Sequence, residues 1–212
     1  MKQIPLKLAT IVLTLIVGLA AVLWFSKSSN SKGCIDAQYF PEGAFSKREG
    51  RLNWITEFYS AMQEQPLSCL HEDVEAYRFL FLPSFEPPAS IRVWREGDRK
   101  YIELRQLSSI GSPQNGAKDM RATETRALTE KEWRHLLELL EKANFWSMPT
   151  EDEKPIGLGN ASFLLEGKKP RQYHVVDRWF PEDQNFLNAC DYLFEISRLV
   201  EIKQQNKVSL MN

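Results

Sequence analysis

From Leu8 to Ser26 the chain runs nineteen residues, LATIVLTLIVGLAAVLWFS, without a charge, between Lys7 and Lys27. About 20 apolar residues at a rise of about 1.5 Å cross the hydrocarbon core of a bilayer, so the run predicts a membrane helix over residues 8–25 and leaves the rest of the chain to fold on its own. Trp24 and Phe25 stand at its far end, where an aromatic belt sits. A cleaved signal peptide is the competing reading. It calls for an apolar core of about 7–15 residues followed by small residues in an A-x-A-like site, and Ser26-Lys27-Ser28 matches that poorly. Ser31-Lys32-Gly33-Cys34 is no lipoprotein signal, because Ser31 is not aliphatic. The expectation is an uncleaved anchor over residues 1–26. Two lysines precede the run and two follow it, so charge says little about direction. The short N-terminal tail makes the N-inside topology the simpler one, with a single-pass chain whose body lies outside the cytoplasm.

Residues 27–50 mix Ser, Gly, Lys and Pro without a sustained period and read as a linker. One α+β domain over residues 51–204 follows, then a polar tail over 205–212. Trp54, Ile55, Phe58, Tyr59 and Met62 recur at helical spacing until Pro66. VEAYRFLFLPSF is a β-favouring run ended by prolines, and SIRVWREGDRKYIELRQL reads as a hairpin turning at Gly97-Asp98. Ser, Gly and Pro over 108–122 predict a loop. The best helix is TEKEWRHLLELLEKANFW, with Thr129 and Glu132 in capping-box positions and Trp133, Leu136, Leu137 and Leu140 on one face. A second hairpin joins ASFLLEG to RQYHVVDRW, and a final helix opens at Pro181, Glu182 and Asp183. The expected fold is α+β: two antiparallel hairpins forming a sheet, packed against about three helices.

Charge excludes one class of partner. Residues 1–32 hold four lysines and no acid, which leaves 23 basic and 28 acidic residues, a net of −5, to the remainder. A mildly acidic body does not neutralise a phosphate backbone, so no nucleic acid is expected. Four arginines, Arg92, Arg95, Arg99 and Arg105, are interrupted by Glu96, Asp98 and Glu103, which reads as cross-strand pairing and not as a basic patch.

Chemistry is sparse. YHVVDRW carries a histidine, an aspartate and an arginine, but on a strand Tyr173, Val175 and Asp177 share one face while His174, Val176 and Arg178 share the other. His174 and Asp177 cannot then pair, and the segment reads as a strand with Asp177 and Arg178 at its wet end. Cys69 and His71 lack the paired, well-spaced partners of a zinc site, so no metal and no cofactor is expected. His135 sits on an exposed helix face. There is no nucleophile elbow, and GLGN at 157–160 does not follow a strand, so no phosphate cradle is read. Cys69 and Cys190 are expected to be bonded to each other or both buried, with Cys34 the odd one out.

The segments YRFLFLPSFEPPASIRVW, LTEKEWRHLLELLEKANFWSMP and YHVVDRWFPE resemble those of uncharacterised bacterial membrane-anchored or secreted envelope proteins of unknown function. The likeness covers roughly Val74 to Leu199 and implies no activity. More loosely, the order hairpin–helix–hairpin–helix is similar to small secreted domains of unknown function.

Three functional readings follow. The first is a non-catalytic, membrane-tethered module that binds or supports another envelope component, with Arg178 and Trp179 as the expected partner-binding residues because arginine and tryptophan are common interface anchors. The second is a hydrolase-type enzyme with a site assembled from His71, His174, Asp177 and Arg178. The third is an inhibitor or immunity-type protein.

Overall fold

Six β-strands lie in one antiparallel sheet in the order β4-β3-β2-β1-β5-β6. The computed structural model describes residues 39–45, 49–113, 119–152 and 161–197, which belong to the unit Ala37–Asn212. The strands are β1 Glu75–Pro83, β2 Ala89–Glu96, β3 Arg99–Leu107, β4 Met120–Ala127, β5 Ala161–Lys169 and β6 Gln172–Trp179, and the helices are α1 Glu49–Ala61, α2 Glu130–Lys142 and α3 Gln184–Ile196. The chain is therefore α+β, as expected. The expected membrane helix, most of the linker, Cys34 and the tail lie outside the described residues. Among the described residues no helix is long and apolar enough to cross a membrane.

Both expected hairpins are present, β2–β3 and β5–β6, but they do not meet. The YRFLFL run forms β1 between them, paired with β2 on one side and β5 on the other. The expected loop over 108–122 stops short of its predicted end, because Met120 opens β4. MRATETRA sits on the sheet edge, largely exposed, so it lacks the apolar alternation that marks a half-buried strand. Edge strands commonly carry charge in this way. α3 begins at Gln184, later than expected, because Asp183 is its N-cap and accepts the Phe186 N–H at 2.9 Å. The Thr129–Glu132 capping box of α2 forms as the sequence predicts.

Alternation along β1 sends its residues to two different layers. Tyr77 and Phe79 face α2 and α3, in a core with Ile91, Val93, Trp133, Leu136, Leu165, Val176, Cys190 and Leu193. Leu80 and Leu82 face α1, in a second core with Ile55, Phe58, Tyr59, Met62, Leu164 and Val175. On the first face Gly167 admits the segment that follows α2: a Cβ there would lie 2.6 Å from the Phe145 ring and 3.0 Å from Trp146. On the second face α1 crosses the strands. Its first turn reaches β5 and β6, where Arg51 is paired with Asp177, and its last turn reaches β3, where Arg105 donates to the Met62 and Gln63 carbonyls.

The end of α1 determines what lies beneath it. Gln63 adopts φ 54, Glu64 N–H returns to the Tyr59 carbonyl and Gln63 N–H to that of Ser60, the bonds of a Schellman turn. That turn swings the Glu64 side chain down onto the sheet.

Candidate functional site

The α1 face carries a row of charges across four neighbouring strands. Glu103, Arg92, Arg78 and Glu166 occupy one register line, β3 to β2 to β1 to β5. Two arginines directly opposite each other repel, and Glu64 offsets this by standing 3.4 Å from both Arg78 and Arg92. Arg78 grips Glu166 with two donors, at 2.8 and 3.0 Å, and Tyr59 and Tyr173 donate their hydroxyls to the same carboxylate. Ser90 donates to Glu64 at 2.8 Å, and Arg105 donates to Glu103 at 3.0 Å. Three carboxylates thus meet three guanidiniums, and the row is neutral as a whole.

Burial would raise the Glu64 carboxyl, but the guanidiniums of Arg78, Arg92 and Arg105 outweigh it and hold it below its ordinary value. Burial, with Glu166 adding to it, pushes both tyrosine hydroxyls up, so they stay protonated and donate. The row resembles an active site in composition only. Arg78 and Glu166 are 0% exposed, so no substrate reaches them. Its chemistry is to hold α1 at one angle on the sheet. The expected cross-strand pairing of arginines with acids is thus realised at Arg92–Glu103 and also at Arg95–Glu75.

The residues expected to carry function are scattered. Asp177 faces α1, bonded to Arg51 at 2.7 and 2.8 Å, while His174 lies on the opposite face against Phe145. Burial holds the His174 imidazole below its ordinary value, opposed by a hydrogen bond with the Met148 backbone and reinforced by Arg178. His71 sits in an exposed turn before β1, and His135 packs on Tyr192 at the surface. No group of three or more His, Cys, Asp or Glu among the described residues is placed to hold a metal ion. Cys190 is free and buried, whereas Cys69 is disulfide-bonded and only half-buried, so neither form of the expectation holds: the two are not bonded to each other and are not both buried. Cys190 lies on α3 within the core that α2 and α3 form against the sheet.

Arg178 is a correction of another kind. The strand does not end wet: Asp177 is 4% and Arg178 9% exposed. The segment Pro149–Glu151 runs along β6 and takes up the guanidinium, which donates to the Pro149 carbonyl at 2.6 Å and that of Thr150 at 3.0 Å. Arg178 therefore shapes a surface but does not supply a free anchor. Trp179 is half-buried.

What is exposed lies just beyond them. Phe85 is 75%, Ile110 55% and Phe180 55% exposed. Register puts all three at the same end of the sheet: Pro83 pairs with Ala161, whose carbonyl accepts the Phe180 N–H, and the Leu107 N–H bonds to Pro88. Phe180 has φ 51, a left-handed conformation that an aromatic residue rarely adopts. Beside it, Asp152, Arg178, Pro181, Glu182, Asp183 and Phe186 line a cleft of about 150 Å³.

No family model and no curated protein matches this chain.

The functional reading therefore rests on this end of the sheet. Sequence reasoning stopped one residue short of it, at Trp179. The signal that could have found it is a large apolar residue alone among turn formers, as in Ser84-Phe85-Glu86-Pro87 and Phe180-Pro181-Glu182. Exposed in this way, such a residue adds nothing to the folded core.

Proposed function

We propose that this chain is a non-catalytic binding module, tethered to the cell envelope through residues 8–25, that meets its partner with the Phe85–Ile110–Phe180 end of the sheet. The observation that carries the reading is the gathering of three exposed large apolar side chains at one end, one of them on a left-handed backbone. Scattered singly, exposed apolar residues are ordinary; three of them on the loops at one end of the sheet support the reading of an interaction site. The hydrolase-type alternative draws support from no arrangement of His71, His174, Asp177 and Arg178, since the fold sets them on different faces and turns. An inhibitor or immunity role is the same module with an enzyme as its partner.

The test is photo-crosslinking in the cells that make the protein. A benzophenone side chain replaces Phe85 or Phe180, and a control replaces Asp98 at the opposite end. Discrete adducts from the two phenylalanine positions, absent from the control, are expected. Adducts from neither position, with the protein folded and in the membrane fraction, would sink the proposal.

A further inference from the structure

We infer that β4 is a self-pairing edge: two copies of the chain join antiparallel through Thr123–Ala127, about a two-fold axis at Thr125. The inference is independent of the Phe85–Ile110–Phe180 surface. The two edges of the sheet are finished differently. The Pro149–Glu151 segment runs along β6, where the Thr150 carbonyl accepts the Asp177 N–H at 2.7 Å. Among the described residues no strand or segment pairs with the outer side of β4. The Leu128 N–H donates to the Lys100 carbonyl at 2.9 Å, so the backbone groups of Leu128 face β3, and by alternation those of Arg126 and Glu124 do too. The backbone groups of Thr123, Thr125 and Ala127 therefore point away from the sheet. The Ala127 carbonyl accepts from Arg126 Nη1 at 2.9 Å and keeps its second lone pair.

Register chooses the occupant. A two-fold antiparallel pair must set outward-facing residues opposite one another, which leaves few alignments. Centred on Glu124, the pair opposes two carboxylates; centred on Arg126, it opposes two guanidiniums, and like charges directly across are unfavourable. Centred on Thr123, it runs Ala127 against Asp119, past the register shift opposite Gln106 and Leu107 where regular pairing of β4 stops. Centred on Thr125, the two threonines face each other, Thr123 lies across from Ala127, and Glu124 lies across from Arg126 twice over. This alignment uses the regular part of the strand from end to end. Thr123, Glu124 and Thr125 are exposed, and Arg126 is fixed in advance by the Ile196 carbonyl at 2.6 Å and Glu132 at 2.7 Å. The strand is its own complement at Thr125, which singles out a second copy from other extended partners. A pairing this short makes a weak, transient interface, so the test traps it covalently.

Full chains carrying Thr125→Cys or Glu124→Cys are made in cells and oxidised briefly with copper phenanthroline. Mass spectrometry of the digest then reads the disulfide between two copies of the β4 peptide. In the inferred register the two Thr125 Cα atoms stand about 5.5 Å apart, within disulfide reach, while the two Glu124 are diagonal neighbours at about 7–8 Å. The peptide linked through position 125 is expected at about fivefold the yield of the one linked through position 124, or more. Two further changes, each added to Thr125→Cys, are expected to lower that yield about fivefold. Glu124→Arg, at an exposed position, sets like charges across the pair. Thr123→Pro removes an outward N–H and leaves the bonds to β3 intact. Equal yields at the two positions, or a yield that Glu124→Arg leaves unchanged in a folded chain, would overturn the register and the inference with it. Absence of the 125-linked dimer from a folded chain would overturn self-pairing outright. A disulfide from position 125 to a different polypeptide, in place of the second copy, would make β4 a docking edge for another protein and overturn the inference as well.

Discussion

The two faces of the sheet are covered by different physics. Against α2 and α3 the contact is aromatic and aliphatic, with Trp133, Leu136, Phe145 and Leu193 meeting Tyr77, Phe79 and Leu165. Against α1 the apolar contact is interrupted by a row of buried ions, Glu103, Arg92, Arg78 and Glu166, with Glu64 above them. Apolar burial is non-directional and tolerates many packings; a bidentate ion pair tolerates one. Both faces bury apolar side chains, and on the second the ion pairs also fix where α1 lies.

The largest effect that separates them comes from breaking a single ion pair. Arg78→Ala leaves Glu166 buried without its guanidinium and is expected to cost about 3–5 kcal/mol by urea unfolding. Leu136→Ala on the other face is expected to cost a comparable 2–5 kcal/mol or so, by transfer and cavity. The two losses part company on repair. Arg78→Met/Glu166→Leu, made with Tyr59→Phe and Tyr173→Phe so that neither hydroxyl loses its acceptor, should recover much of the first, with a coupling of about 1–3 kcal/mol between the charged pair, because both charges are gone. Additive single losses would mean that the row is not a unit.

A smaller effect sharpens the apolar face. Gly167→Ala places a methyl 2.6 Å from the Phe145 ring, and the ring belongs to a packed cluster that cannot simply retreat. The expected cost is about 1–3 kcal/mol, with loss of near-ultraviolet dichroism from Trp146. An unchanged midpoint would show that the segment after α2 is loosely seated.

Acid should attack the two faces at different pH. His174 is held below its ordinary 6.5, so the unfolded chain takes up a proton that the folded chain resists. Its contribution is complete above about pH 6.5 and declines as the pH falls from there. Glu64 is also held low, against an ordinary 4.5, so the ion row keeps its contribution down to that region and loses it as the pH falls further. Stability measured from pH 8 to 3 should fall in two stages, and His174→Gln should abolish the first alone. A single stage in the wild type would break the distinction. The smallest effect is at α2, where Thr129→Ala removes one side of the capping box and is expected to cost about 1 kcal/mol by thermal unfolding.

Local signals were legible in the sequence, and long-range ones were not. The capping box of α2, the Gly97 turn and the two-sided alternation of YHVVDRW are patterns within a few residues of chain, and each appears in the fold. β4 was hidden because its polar edge position erases the period. Arg78 was hidden differently: inside YRFLFL it looks like a charge on a strand, and only the arrival of Glu64 and Glu166, 14 and 88 residues away, makes it a core residue. Arg178 was misplaced because its acceptors are backbone carbonyls of Pro149 and Thr150, which no side-chain pattern announces. The exposed phenylalanines were legible in principle, but a lone apolar residue in a loop carries meaning only once its neighbours in space are known.

The strand order also sets a timetable. Synthesis completes β1 to β4 before the residues of β5 exist, so one edge of β1, with Tyr77, Phe79, Leu80 and Phe81, waits for a partner that lies beyond α2. An open apolar edge in a nascent chain invites pairing with another copy. Arg78 stands in the middle of that edge, and until Glu166 is made it is a charge that any intruding strand would have to bury. The residue that locks α1 in the finished protein is, earlier in the life of the chain, a guard on its most adhesive strand.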